Sequence, residues 1–216
     1  MSNELRKRII TSIVLLTLLT LMYFYSFILI ISLIVISSVS WFEFSELMSK
    51  IFYRKKILKL IFKFLSLLYL SSLTLGILYV FSNKVELKFF LVYPILVSIA
   101  SDIGGLTFGK IFKGKRLTKM SPKKTISGSL GSFIFSILLI PFFTKYFFEY
   151  NLSELIIITI VISLISQIGD LFISFLKRKA KVKDTGDLLP GHGGFLDRID
   201  GIIFSIPVSF LLFINY

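Results

Sequence analysis

Asp184, Asp187, Asp197 and Asp200, six lysines and arginines, and the only histidine of the chain, His192, all fall between Ser174 and Gly201. Carboxylate oxygens coordinate hard divalent cations and basic side chains neutralise phosphate oxygens. Together they are the recurring parts of phosphoryl and nucleotidyl transfer, in which catalysis is chiefly positioning and charge neutralisation. Asp197 and Asp200 are three residues apart. If a helix begins there they share a face and, with Asp170 from the preceding apolar segment, form a set able to hold a divalent ion. Asp184 and Asp187 read either as ligand-facing or as solvated loop carboxylates. Gly191, Gly193 and Gly194 around His192 let backbone amides approach a phosphate, although any turn uses glycine as readily. His192 in this setting reads as a phosphate contact, beside the plainer reading of a surface hydrogen-bonding residue. With no cysteine and no second histidine, zinc is excluded.

The elements that must position these groups are apolar. Hydrophobic residues make up 55% of the 216-residue chain and mean hydropathy is +0.87, values of a multi-span membrane protein with no soluble domain. The net charge of +13 fits anionic lipid, a polyphosphate ligand or the positive-inside bias. Nucleic acid is set aside, because no basic repeat, recognition helix or aromatic RNA-binding motif is present.

Arg6, Lys7 and Arg8 precede an uncharged run from Ile9 to Phe42, roughly 50 Å as helix against a core of about 30 Å. That length predicts two helices, about 9–25 and 27–47, turning near Tyr25 and Ser26. No small-residue cleavage site follows, so the first run reads as an uncleaved anchor. Lys59 and Lys63 lie one helical turn apart before a third span, Phe64 to Asn83, and suit either a surface-lying amphipathic segment or a snorkelling helix end. Further spans are expected at Phe89–Gly109, Ile126–Thr144, Leu155–Leu176 and, shorter than a full crossing, Gly201–Tyr216. The fold expectation is therefore all-α: a polytopic transmembrane bundle of about seven spans. Of the lysines and arginines, 22 lie before the first span or in the connections 50–63, 110–124 and 177–198, and only Lys84, Lys88 and Lys145 lie in the alternate gaps. This asymmetry puts the N-terminus and the chemically useful loops on the cytoplasmic face.

Two spans carry polar stripes. In the fourth, Ser98, Ser101, Asp102, Gly105 and Gly109 recur at helical spacing. Gly105 and Gly109 form a small-xxx-small pair of the kind that packs helices closely, whereas Asp102, a carboxylate at membrane depth, is a functional candidate. Gly104 to Lys110 spells Gly-x-x-x-x-Gly-Lys, but Ile111 stands where a P-loop needs Ser or Thr and a membrane helix precedes it, so that motif is rejected. The sixth span carries Ser163, Gln167, Asp170, Ser174 and Lys177, read as a hydrophilic wall facing a cavity.

The order Ser174, Lys177, Arg178, then Lys183-Asp184-x-Gly186, then Pro-Gly-His-Gly-Gly-x-x-Asp-Arg-x-Asp from Pro190 to Asp200, resembles the C-terminal motif of the phosphatidate cytidylyltransferases (CDP-diacylglycerol synthases). Ser-Pro-Lys-Lys-Thr, Ser121 to Thr125, and Gly169-Asp170-Leu171 resemble two further blocks of that family. The chain departs from it at Gly104 and Gly105, where relatives carry Ala-Tyr, at Ile126–Gly128, where a glutamate is missing, and at Ile173, in place of a polar residue. The resemblance implies one integral-membrane cytidylyltransferase domain over 1–216 with a catalytic core of about 89–201. It implies transfer of CMP from CTP to phosphatidate with release of pyrophosphate, dependence on Mg²⁺ alone or with a second cation, a homodimer, and a place in the bacterial inner membrane. By the same resemblance Asp170, Asp197 and Asp200 are metal ligands and, with Lys177, Arg178, His192 and Arg198, catalytic. Asp102, Lys110, Ser121, Lys123, Lys124, Thr125, Lys183, Asp184, Gly191, Gly193 and Gly194 are substrate-binding. The attacking phosphate is already an anion, so no strong general base is needed and His192 is not required in that role.

Two competitors remain in view. Asp197-x-x-Asp200-Gly201 also opens the motif of the CDP-alcohol phosphotransferases, but Ile203, Phe204 and Ser205 do not continue it. A cation transporter would use Asp102 and Asp170, yet has no reason to gather a Gly-His-Gly-Gly loop and lysine clusters on one face.

Overall fold

The structure, a computed structural model, describes residues 3–83, 88–118, 121, 124–147, 149–191 and 193–214. These residues form helices and no strand, only isolated bridges at Arg116–Thr125 and Leu189–Gly193. The helices are α1 (Asn3–Phe24), α2 (Ser26–Ile51), α3 (Lys56–Asn83), α4 (Lys88–Phe112), α5 (Ile126–Ile137), α6 (Ile140–Phe143), α7 (Leu152–Lys179), α8 (Leu196–Ile199) and α9 (Ile202–Ile214). Among the described residues five segments are long and apolar enough to cross a bilayer: Ser26–Ile51, Lys56–Ser82, Phe89–Phe112, Ile126–Tyr146 and Leu152–Lys179. The expected first and seventh spans correspond to shorter apolar helices, Ile9–Phe24 and Ile202–Ile214. The protein is an all-α polytopic membrane bundle. Only helices satisfy every backbone donor and acceptor within one segment where no water is available.

The chain divides into two compact units, one of Met1–Phe81 with Leu176–Ile199 and one of Ser82–Phe175 with Asp200–Tyr216. In the first, α1 and α2 meet at Tyr25, whose extended backbone (φ −119°, ψ 105°) breaks the helix where length alone required a turn. No Gly or Pro is needed, because Tyr25 still bonds backward to Leu21 O at 2.8 Å and its own carbonyl accepts from Leu29 at 3.0 Å. Trp41 Nε1 on α2 donates to Lys63 O on α3 at 3.0 Å. α3 begins at Lys56, so Lys59 and Lys63 lie in the same continuous helix as the third span. Almost none of α3 is buried, and Leu60, Phe64, Leu68 and Leu75 point outward as lipid-facing side chains do.

The second unit is built on a seam of small residues. Gly104 and Gly105 on α4 face Gly128, Gly131 and Ser132 on α5. A Cβ on Gly105 would lie 2.8 Å from Ser132 Oγ, and one on Gly131 would lie 2.6 Å from Gly104 O and overlap Phe108. Of the Gly105–Gly109 pair, Gly105 thus packs on α5, a Cβ on Gly109 would lie 3.2 Å from Thr125 Oγ1 and 3.8 Å from Gly128 Cα, and Gly104, one of the departures from the family pattern, is part of the contact. Beyond the seam, Tyr93, Val97, Phe143, Phe147, Ile158, Ile162 and Phe213 form a buried cluster in which Phe147 and Phe213 stack at 4.8 Å. The fifth span is interrupted at Leu138 and Leu139 and resumes at α6. Pro141 has no N–H to give the carbonyl one turn back, and it stands in the first turn of α6, where that bond is not needed.

α8 is a single turn. Asp200 and Gly201 separate it from α9, so the last apolar helix starts at Ile202, after both Asp197 and Asp200, and not at them. The physical reason lies at Gly201. Its N–H bonds to Asp200 Oδ1 at 2.9 Å and its carbonyl accepts the first N–H groups of α9, from Phe204 and Ser205. Its α-carbon also packs so closely on Ser166 that a Cβ would overlap Oγ.

Candidate active site

In the first unit the site is built from the end of α7 forward. The helix closes in a Schellman motif: Val182 N–H bonds to Lys177 O at 3.0 Å and Lys181 N–H to Arg178 O at 3.2 Å. Lys181 takes the left-handed conformation (φ 57°) usually given to glycine. The chain then turns back through a tight pairing of Leu189 and Gly193, with bonds of 2.9 and 3.1 Å, made possible by positive φ at Gly191 (78°) and Gly193 (81°).

Asp197, the second residue of α8, accepts from Lys177 Nζ at 2.5 Å and from Thr185 N at 2.8 Å. Both side chains are largely enclosed, Lys177 at 16% and Asp197 at 5% exposure. The fold therefore joins the start of the 174–200 motif to its end across 20 residues. Arg178, Lys183, Asp184 and Arg198 are exposed, as is Asp187. His192 and Lys123 lie outside the described residues.

The residue around which this loop is assembled is one that sequence reading passed over. Glu43, on α2 and only 4% exposed, accepts from Thr185 Oγ1 at 2.7 Å, Phe195 N at 2.8 Å and Leu196 N at 2.9 Å. Gly186 and Gly194 are the walls that admit its carboxylate. A Cβ on Gly186 would lie 2.7 Å from Glu43 Oε1, and one on Gly194 would lie 2.6 Å from Oε2 and overlap Thr185 Oγ1. Glycine at 194 thus serves an internal carboxylate. The signal was present: Glu43 is an acidic residue in an apolar helix, the same feature that singled out Asp102, but it stands directly after the uncharged run that ends at Phe42.

In the second unit, Asp170 on α7 is paired with Lys124, their side chains 28% and 26% exposed, and accepts from Ser174 Oγ at 3.4 Å. Lys124 is held by a small hairpin in which Leu117 N–H bonds to Lys124 O at 2.8 Å and Lys124 N–H to Ser121 O at 3.0 Å. Thr125 caps α5, its Oγ1 accepting from Gly128 N at 3.1 Å. The rest of the α7 stripe is a packing seam, with Ser163 donating to Ser101 Oγ at 3.1 Å and Gln167 Oε1 accepting from Ser129 at 2.6 Å. The stripe approaches solvent at Asp170. Ser98 and Ser101 are buried, whereas Asp102 and Lys110 are exposed. Asp200 is buried, and its carboxylate turns back to Gly201 N–H.

Among the described residues no three carboxylates or histidines are gathered to hold a metal ion. A protein-only cage is therefore absent from this set. Magnesium needs only one or two carboxylates when the other groups of its shell arrive with the ligand, and Asp197 in the first unit and Asp170 and Asp200 in the second each offer oxygen donors of that kind.

A family model described as the Cytidylyltransferase family matches residues 2–215. The chain is 38% identical over 144 residues to the phosphatidate cytidylyltransferase of Staphylococcus haemolyticus, covering 65% of this chain and 55% of that protein. It is 36% identical over 152 residues to that of Staphylococcus saprophyticus, covering 69% and 58%. It is 37% identical over 144 residues to that of Staphylococcus aureus strain COL, covering 65% and 55%. The matches span a little over half the length of these relatives.

Proposed function

Because the chain belongs to the cytidylyltransferase family, we propose that it transfers CMP from CTP to phosphatidate, forming CDP-diacylglycerol and pyrophosphate. A phosphate oxygen of phosphatidate bonds to the α-phosphorus of CTP while the bond from that phosphorus to the oxygen bridging to the β-phosphate breaks. No proton has to be removed from the nucleophile. The observation that carries this reading is the enclosed Lys177–Asp197 pair, which joins the two ends of the basic and acidic motif at 2.5 Å. An ammonium already anchored beside a carboxylate is poised to meet phosphate oxygens without reorganising during reaction.

Lys177, Arg178, Arg198 and His192 are assigned to the reacting phosphates. Lys110, Lys123, Lys124, Lys183, Ser121 and Thr125 are assigned to the substrate anions, with Asp102, Asp184 and the glycines 191 and 193 at the substrate, while Gly194, buried against Glu43, serves the loop. Asp170, Asp197 and Asp200 are the carboxylates assigned to Mg²⁺, which when bound neutralises charge on the nucleotide phosphates. Asp170 and Asp197 are each engaged by a lysine, and a carboxylate retains further lone pairs that would accept the cation beside it. The relatives' bacterial origin and the 22-to-3 charge split support the inner membrane, with the reacting groups at the cytoplasmic face. A homodimer, tested by cross-linking in membranes, belongs to the same proposal.

Detergent-purified protein given phosphatidate, CTP and Mg²⁺ is expected to form CDP-diacylglycerol and pyrophosphate, and EDTA to stop it. Failure to form product across varied lipids and detergents, with conversion of CDP-diacylglycerol and an alcohol to a phospholipid, would overturn the assignment.

A further inference from the structure

The structure assigns Glu43 a role as the positioning residue of the 184–197 loop, holding Asp197 and Lys177 in register without touching substrate. This inference rests on the proposed cytidylyl transfer for its kinetic consequence, but not for its structural one.

A carboxylate that is 4% exposed carries a desolvation cost of several kcal/mol unless its oxygens are well bonded. Among the described residues Glu43 is balanced by no lysine or arginine. Its partners are the hydroxyl of Thr185 and the amides of Phe195 and Leu196, all from one loop 142 to 153 residues later in the chain. Two of these are backbone donors, Phe195 and Leu196 after the Leu189–Gly193 turn, and the third is the Thr185 side chain before it, so Glu43 holds main chain on one side of the turn and a side chain on the other. Leu196 opens α8, and the next residue is Asp197.

Thr185 carries the constraint onward. Its N–H and its hydroxyl lie 2.8 and 3.1 Å from Asp197 Oδ2, while Oδ1 takes Lys177 Nζ. The sequence of contacts therefore runs Glu43, Thr185, Asp197, Lys177. A hydroxyl has one hydrogen, and the shorter contact to Glu43, 2.7 Å, gives that hydrogen to Glu43 and leaves the Thr185 amide to Asp197. Gly186 and Gly194 fit the same account, since a side chain at either would occupy the space of the Glu43 carboxylate. Outside the loop, Thr11 Oγ1 on α1 lies 3.0 Å from Pro190 O and 2.9 Å from Lys7 O of its own helix, and one hydrogen cannot serve both fully. That contact to one carbonyl cannot set the orientation of α8, and the Glu43 carboxylate does.

The test uses Glu43→Gln, Glu43→Ala and Gly194→Ala in the full-length protein, read in two independent ways. Amide hydrogen exchange in detergent needs no turnover. The Thr185, Phe195 and Leu196 amides are expected to lose about tenfold or more of their protection in Glu43→Ala, less in Glu43→Gln, with α4 and α5 unchanged. In the CTP assay kcat is expected to fall about 100-fold in Glu43→Ala, the scale of a misplaced catalytic group. KM for CTP is expected to stay within about threefold, because the interaction lost acts through geometry. Glu43→Gln keeps one acceptor oxygen and should recover part of the rate, and Gly194→Ala should resemble Glu43→Ala. Loop protection and kcat unchanged in Glu43→Ala would overturn the inference, as would loss of protection throughout the molecule with kcat and KM degraded together, which marks a residue needed only for folding. If wild-type protein turns over no CTP, the functional reading fails while the exchange result still decides the role of Glu43.

Discussion

The two units of this protein hold their chemically useful residues in opposite ways. In the unit of 82–175 with 200–216, α4 and α5 close on each other through Gly104, Gly105, Gly128 and Gly131, and the polar groups of α7 that line up beside them are satisfied by serines. In the unit of 1–81 with 176–199, a loop without regular structure is held by one buried carboxylate that accepts three hydrogen bonds. The first arrangement depends on volume. Small residues let backbones approach where lipid supplies no hydrophobic drive for helix association. The second depends on charge and hydrogen bonding, which lets an irregular segment be ordered but leaves it sensitive to the loss of one acceptor. One region is therefore broken by adding atoms and the other by removing a charge.

The largest effect is expected at the end of the carboxylate network. Asp197→Asn leaves Lys177 enclosed without its counter-charge, and the rate of CDP-diacylglycerol formation should fall about 1,000-fold, the upper range for losing one preorganised electrostatic group. Folding, followed by near-ultraviolet circular dichroism, should persist. A rate within tenfold of wild type would separate the Lys177–Asp197 pair from the chemistry.

A smaller loss, in stability instead of rate, is expected at the glycine seam. Gly131→Ala places a methyl against Phe108 and Gly104 O, and overpacking of this kind costs about 1–3 kcal/mol. Thermal unfolding in detergent should register it, and a variant as stable as wild type would show that α4 and α5 do not depend on close approach.

The smallest stability effect belongs to Lys124→Ala. The Lys124–Asp170 pair is about a quarter exposed on each side, and an ion pair of that kind contributes at most about 1 kcal/mol. Unfolding should hardly change while turnover drops, so a large loss of stability would move this pair from substrate handling to scaffolding.

Much of this was legible in the residues. The break at Tyr25 followed from arithmetic, since the run from Ile9 to Phe42 is too long for one crossing, and the packing role of Gly105 and Gly109 followed from their spacing. The order of the 174–200 motif led to the family that the chain belongs to. What failed to be legible was long-range. Nothing in the spacing of Glu43 says that its donors come from residues 185, 195 and 196, and nothing in the spacing of Asp197 and Asp200 says that the last helix starts only after Gly201, which packs against Ser166.

Where the helices lie was determined by the sequence itself, because in lipid every backbone group must be satisfied within its own segment, and long apolar runs advertise this residue by residue. Which polar groups meet was decided only by the tertiary structure. A buried carboxylate takes whatever donors the fold delivers, and those that reach Glu43 lie 142 to 153 residues away along the chain.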